Sequence, residues 1–201
     1  MTVLKTKETL VDVARQLFAK WGVSNTTMND IAQASKKGRR TLYTYFKNKN
    51  DIYLAVVESE LHQLQERLNK IGTKNLEPEE KLKTFIFNRL DAVREVVKRN
   101  GDLNADFFKD VNRVQKVRKK FDLQEIKIIK KILQEGVEKG VFHLFDIELS
   151  ANVLHYALKG IEIPYIKGTF DDKDAIDKIK QRNEIVNILL YGIKSMENNA
   201  P

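Results

Sequence analysis

Between Thr26 and Lys49 the chain reads TTMNDIAQASKKGRRTLYTYFKNK, and few folds accommodate such a run. Thr27 and Asp30 have the Thr-x-x-acid spacing of a capping box. In that arrangement the threonine oxygen takes an orphan backbone N–H, and the acid sits at the positive end of the helix dipole. Met28, Ile31 and Ala32 follow at inward spacing, which predicts a short helix. A polar break, Ser35-Lys36-Lys37-Gly38, separates it from a second short segment, Arg39 to Phe46. Two short helices around a turn of about three or four residues make a helix-turn-helix, with the second as its reading element.

That second segment carries two populations of side chain. Leu42 and Phe46, spaced i and i+4, pack inward on one face, which leaves Arg39, Arg40, Thr41, Tyr43, Thr44 and Tyr45 outward or along the rim. Arginine forks match guanine edges and phosphates, and threonine and tyrosine hydroxyls reach phosphate oxygens. A solvated basic helix with half-buried tyrosines is the plainer reading. The joint occurrence of cap, turn, basic cluster and aromatics favours nucleic acid.

Charge is distributed to match. Residues 1–50 hold ten Lys/Arg against three Asp/Glu, so twenty-six and twenty-five remain for the other 151 residues and the net +8 sits almost wholly in the first module. A concentrated excess of this kind fits a polyanionic partner. A membrane surface would want a basic helix with a broad exposed apolar face, whereas Trp21 is expected on a face needed for the core. With no cysteine, disulfides, thiol catalysis and Cys-based zinc sites are excluded, and His62, His143 and His155 show no metal-ligand spacing. No apolar run approaches eighteen residues, so a soluble, cytoplasmic protein without a membrane span is expected. An enzyme finds no support, for there is no nucleophile elbow, phosphate-cradling glycine loop or locatable acid pair. A non-sequence-specific DNA-binding or scaffold protein, acting by charge alone, stays open as the alternative.

Helical periodicity runs through the whole chain and strand alternation is absent. Leu10, Val13, Ala14, Leu17, Phe18 and Trp21 mark a helix over about residues 7–21 after a frayed arm, with Gly22 as its C-cap. Asn48 is expected to cap a long helix reaching Ile71, a rod of roughly 30 Å. Further helices are expected from Pro78 to Asn100, Leu103 to Val111, Arg113 to Lys139 (interrupted near Phe121-Asp122), Asp146 to Lys167 and Asp171 to Met196. Pro164 is expected to kink or shorten its helix. The basic run from Arg113 to Lys131 reads as a solvated lysine face, and a second nucleic-acid patch is its rival. The fold class is therefore all-α: a three-helix helix-turn-helix bundle over residues 1–48, and a larger helical domain over 49–201, about nine helices together. From Ile185 to Ile193 the apolar residues wrap beyond one face, so the last helix needs a second partner.

The blocks Thr27-Met28-Asn29-Asp30-Ile31-Ala32 and Thr41-Leu42-Tyr43-Thr44-Tyr45-Phe46-Lys47-Asn48-Lys49 closely resemble the DNA-binding segment of the tetracycline-repressor (TetR) family. The resemblance is strong over residues 8–55. It implies a bacterial transcriptional regulator, usually a repressor: a homodimer, joined here through its last two helices, that binds a double-stranded palindromic operator and is released by a small-molecule effector. By position, Thr27, Tyr43, Tyr45 and Lys49 match phosphate-holding residues, while Arg39, Arg40, Thr41 and Thr44 lie where bases are read. Lys36 and Lys37 join them at the turn, where the family usually has a glycine and an aliphatic residue. A lysine in a left-handed turn costs about 1 kcal/mol relative to glycine, and Gly38 is the other candidate for that angle.

The resemblance implies a ligand-binding second domain, and Phe85, Phe87, Phe107, Phe108, Tyr156 and Tyr165 are its candidate lining, with His155 supplying polarity. The same aromatics at helical spacing also suit a plain core. No cofactor and no metal are expected.

Overall fold

Apolar residues three and four apart become helices throughout the structure, a computed structural model that describes residues 2–100, 111–166 and 175–192. Eight α-helices and no strand occur among them: α1 (Thr2–Trp21), α2 (Met28–Ala34), α3 (Arg39–Tyr45), α4 (Lys49–Gly72), α5 (Pro78–Asn100), α6 (Val111–Glu138), α7 (Ile147–Ile166) and α8 (Ala175–Tyr191). The expected helix after Leu103, with Phe107 and Phe108, falls outside the described residues.

Three boundaries differ from expectation. Helix α1 begins at Thr2 rather than near Lys7. Its first turn buries little, since Leu4 is largely exposed, so no periodic signal announced it. Helix α6 runs without interruption through Phe121 and Asp122, because Phe121 is buried on the apolar face and no breaker stands there. Helix α8 ends at Tyr191, where Gly192 (φ 74°) takes the left-handed conformation that glycine adopts without strain. Pro164 lies inside the last turn of α7, which continues to Ile166.

The chain forms two compact units, Met1–Arg67 with Ala92–Glu125, and Leu68–Asp91 with Ile126–Pro201. In the first, Leu10, Ala14, Leu17 and Phe18 of α1 meet Ile31 and Ala32 of α2, Leu42 of α3, Phe46, and Ile52, Tyr53, Val56 and Val57 of α4. Val117 of α6 packs against the same core. Arg15 of α1 ties to α4 through Glu60 at 2.7 Å and the Ser59 hydroxyl at 2.9 Å. Trp21 departs from its expected core position and is 43 % exposed. It is the last residue of α1, and the chain turns away at Gly22 (φ 81°), leaving its ring under the Lys20 ammonium at 5.7 Å.

The second unit joins its helices with charges as well as apolar groups. Arg89 of α5 donates to Glu162 of α7 at 3.1 Å, both buried, and Lys81 of α5 meets Glu135 of α6 at 2.5 Å. Tyr191 of α8 donates to Glu79 of α5 at 2.5 Å while Lys83 lies over the tyrosine ring. Lys83 and Tyr191 together hold the Glu79 carboxyl below its ordinary range.

Candidate nucleic-acid interface

Each end of the helix-turn-helix is fixed by a local device. At the start of α2 the Thr27 hydroxyl accepts from the Asp30 N–H at 3.2 Å and donates to Asp30 Oδ2 at 2.7 Å. Asp30 Oδ2 in turn accepts the Thr27 N–H at 2.8 Å, which completes the expected capping box. The hydroxyl, then the backbone N–H, hold the Asp30 carboxyl below its ordinary range. Thr26, one residue earlier, is fully buried and caps in the other direction, donating to Gly22 O at 2.8 Å. Two adjacent threonines thus close α1 and open α2.

The turn has one register. Lys36 N–H donates to Gln33 O at 3.0 Å and Lys37 N–H to Ala32 O at 3.1 Å. This is a Schellman ending, with Ser35 as C-cap and Lys36 in the position that usually holds glycine. Lys36 has φ 53°, and among the described residues it alone of the non-glycines has a positive φ. Gly38 does not take over that angle. It is the extended N-cap of α3 (φ −62°, ψ 147°), a conformation open to any residue.

From Gly38 onward, helical geometry sorts α3 by direction. At 100° per residue, Arg40 and Thr44 lie about opposite Leu42, with Thr41 and Tyr43 to either side. Leu42 and Phe46 are buried, Arg39, Arg40, Tyr43 and Thr44 are exposed, and Thr41 and Tyr45 are half-buried. The Thr44 hydroxyl donates back to Arg40 O at 2.9 Å, and Tyr45 leans on the core. Lys36 and Lys37 are exposed beside the start of the helix. From Ile31 to Asn50 the sequence has no Asp or Glu, so this surface is cationic without internal neutralisation. Lys7 adds a further charge, its ammonium 5.9 Å from the Phe46 ring centroid.

Lys49 has a role the sequence did not signal. Its ammonium donates to Val23 O at 2.7 Å and Ser24 O at 3.1 Å, stapling the α1–α2 loop to the start of α4. One of its three N–H donors is left over. Asn48 caps α4 as expected, accepting the Asp51 N–H at 3.0 Å. Thr26, the other residue that pattern reading missed, is a polar position between two caps, where no periodicity operates.

Among the described residues the candidate ligand residues divide between buried and exposed positions. Phe85 and His155 are buried in the second unit, Phe87 is half-buried, and Tyr156, directly after His155, is 62 % exposed. Phe107 and Phe108 lie outside the described residues, as does the side chain of Tyr165. Tyr156 is exposed on α7 with Leu149 and Val153, at i, i+4 and i+7, and Phe145 is exposed just before that helix. Among the described residues no group of His, Cys, Asp or Glu could hold a metal ion, and no helix is long and apolar enough to cross a membrane.

Known proteins share these features. The profile of the bacterial regulatory proteins of the tetR family matches residues 10–56, the span from mid-α1 into α4. The HTH-type transcriptional regulator QacR of Staphylococcus aureus is 26 % identical over 191 residues, covering 93 % of this chain and 97 % of that one. A transcriptional regulator from Cytophaga hutchinsonii superposes with a TM-score of 0.75 at 26 % identity, over 94 % of this chain and 98 % of that one. The regulator FadR of Bacillus subtilis, solved in complex with stearoyl-CoA, has the same fold at 20 % identity and a TM-score of 0.71, over 93 % and 99 % of the two chains.

Proposed function

We propose that this chain, whose residues 10–56 match the tetR family of bacterial regulatory proteins, is a DNA-binding transcriptional regulator of that family, a cytoplasmic repressor with no enzymatic activity that holds a palindromic operator as a homodimer and is released by a small ligand. The observation that carries the reading is the outward face of α3, where Arg40 and Thr44 stand opposite Leu42 with no acid nearby. Arg39, Arg40, Thr41 and Thr44 face base edges. Tyr43, Tyr45, Lys37 and the remaining donor of Lys49 hold phosphates, while Thr27, whose N–H and hydroxyl both donate to Asp30, fixes the start of α2. In this division residues 1–48 read DNA, and residues 49–201 bind the effector and the second subunit. The contact with the second subunit uses the outward stripe Leu149, Val153 and Tyr156 of α7 with Ile188 of α8, all exposed in the single chain. A two-fold pair places identical patches against each other and sets two copies of α3 about 34–36 Å apart, one turn of DNA. An effector that prefers another spacing lowers operator affinity by its own differential affinity.

Selection of bound duplexes from a random pool tests this. The expected product is a short palindrome bound several orders of magnitude more tightly than random duplex, with affinity falling steeply as salt rises. Steep salt dependence with no enriched sequence would instead indicate charge-only binding.

A further inference from the structure

We propose that Lys36 is a phosphate contact of the bound operator, kept in a backbone conformation that suits glycine because its ammonium is needed there. The inference rests on the reading of α3 as the DNA-facing helix. Lys36 is locked at φ 53° by its own N–H bond to Gln33 O and by that of Lys37 to Ala32 O. A side chain in this left-handed well is strained where glycine is not. Strain at an exposed position persists only if something compensates for it.

No side-chain ion pair in the free protein does so. Lys36 is exposed, and among the described residues it has no ion-pair partner. Its neighbours Lys37, Arg39 and Arg40 repel it, and the sequence offers no acid between Asp30 and Asp51. The negative end of α2 attracts a cation there, but Lys37 sits beside the same end and supplies one. A phosphate against this surface adds an attraction to each of these cations and offsets their mutual repulsion. The turn position therefore trades stability for binding, and stability and affinity should move in opposite directions when Lys36 changes.

The test compares Lys36→Gly, Lys36→Gln and Lys36→Arg with the wild-type chain in thermal unfolding and in DNA binding across a salt series. Two duplexes of about 30 base pairs serve as probes, one recovered by the wild-type protein from a random pool and one of mixed sequence with the same composition. Lys36→Gly should raise the unfolding midpoint by about 2–4 °C. It should also weaken binding about five- to tenfold for each of the two subunits at 0.1 M salt and take about 1.8 from the slope of log K against log salt. Lys36→Gln should give the same binding loss at an unchanged midpoint, and Lys36→Arg should match the wild type in both. Binding by Lys36→Gly and Lys36→Gln with an unchanged slope overturns the phosphate contact. So does a lowered midpoint in Lys36→Gly, which would mean that the helix end is what holds the lysine. A wild-type protein that favours neither duplex refutes the operator reading, and Lys36 is then judged by the slope on the mixed sequence. If the wild type binds neither duplex, both fall.

Discussion

Thr26 and Ser35, the buried polar residues among those described in α1–α3 and their loops, find partners close by in sequence. Thr26 donates to a carbonyl four residues back and Ser35 to one three back. In the second unit the buried charges pair far along the chain, 73 residues apart for Arg89 and Glu162 and 54 for buried Lys81 and half-exposed Glu135. The first arrangement fixes the geometry of one small module whatever surrounds it. The second ties distant helices together, so its integrity depends on several elements at once. Local fixing suits the proposed DNA-reading module, and long-range cross-links suit the proposed effector domain.

Breaking a cross-link should have the largest effect. Glu162→Ala leaves the Arg89 guanidinium buried without its carboxylate, and urea unfolding should lose about 3–5 kcal/mol. Arg89→Met with Glu162→Leu should restore most of that loss. A cost below about 1 kcal/mol for the single change would mean that the pair does not organise the second unit.

Next comes the proposed contact between copies. Leu149→Asp with Val153→Asp puts like charges opposite their own copies, and sedimentation should report a monomer. Affinity for the palindrome should then drop about a hundredfold, roughly 2.7 kcal/mol. A dimer that survives would place the interface elsewhere.

Smaller effects are expected inside the DNA-facing module. Lys49→Ala removes two hydrogen bonds to the α1–α2 loop and should cost about 1 kcal/mol of stability. It should weaken binding to all duplexes alike and take about two from the salt slope, one for each subunit. An unchanged slope would leave Lys49 as a loop staple alone. Thr27→Ala should cost about 1 kcal/mol by loss of the α2 cap. Asp30 titrates in the folded protein below its ordinary value of 3.8, so its share of the cap is complete above that value and fades as pH falls through the lower folded pKa. The gap between wild type and Thr27→Ala should therefore narrow only in acid below pH 3.8, as followed by unfolding across pH.

This contrast also explains what the sequence made legible. The capping box, the Gly22 and Asn48 caps and the Leu42/Phe46 face are short-range devices, and each is where residue spacing places it. Trp21 was misplaced because periodicity assigns a helix face but not whether any neighbour covers the helix end. Lys49 stands at a phosphate-holding position in the sequence, but no pattern relates it to carbonyls 25 and 26 residues earlier. Arg89 and Glu162 look like ordinary surface charges for the same reason. In the turn, the sequence left Lys36 and Gly38 as rivals, and backbone hydrogen bonding assigned the left-handed angle to the lysine.

The central claim is that the face of α3 opposite Leu42 reads base sequence, and Arg40 is the side chain that tests it most directly. The ratio of affinities for the selected palindrome and a scrambled duplex should be measured for the wild type and for Arg40→Ala at one fixed salt concentration. The account predicts that this ratio falls by about 1–3 kcal/mol, some five- to 150-fold, with binding to the scrambled duplex changed far less. A ratio that stays constant while both affinities drop together would make Arg40 a phosphate contact and contradict the assignment.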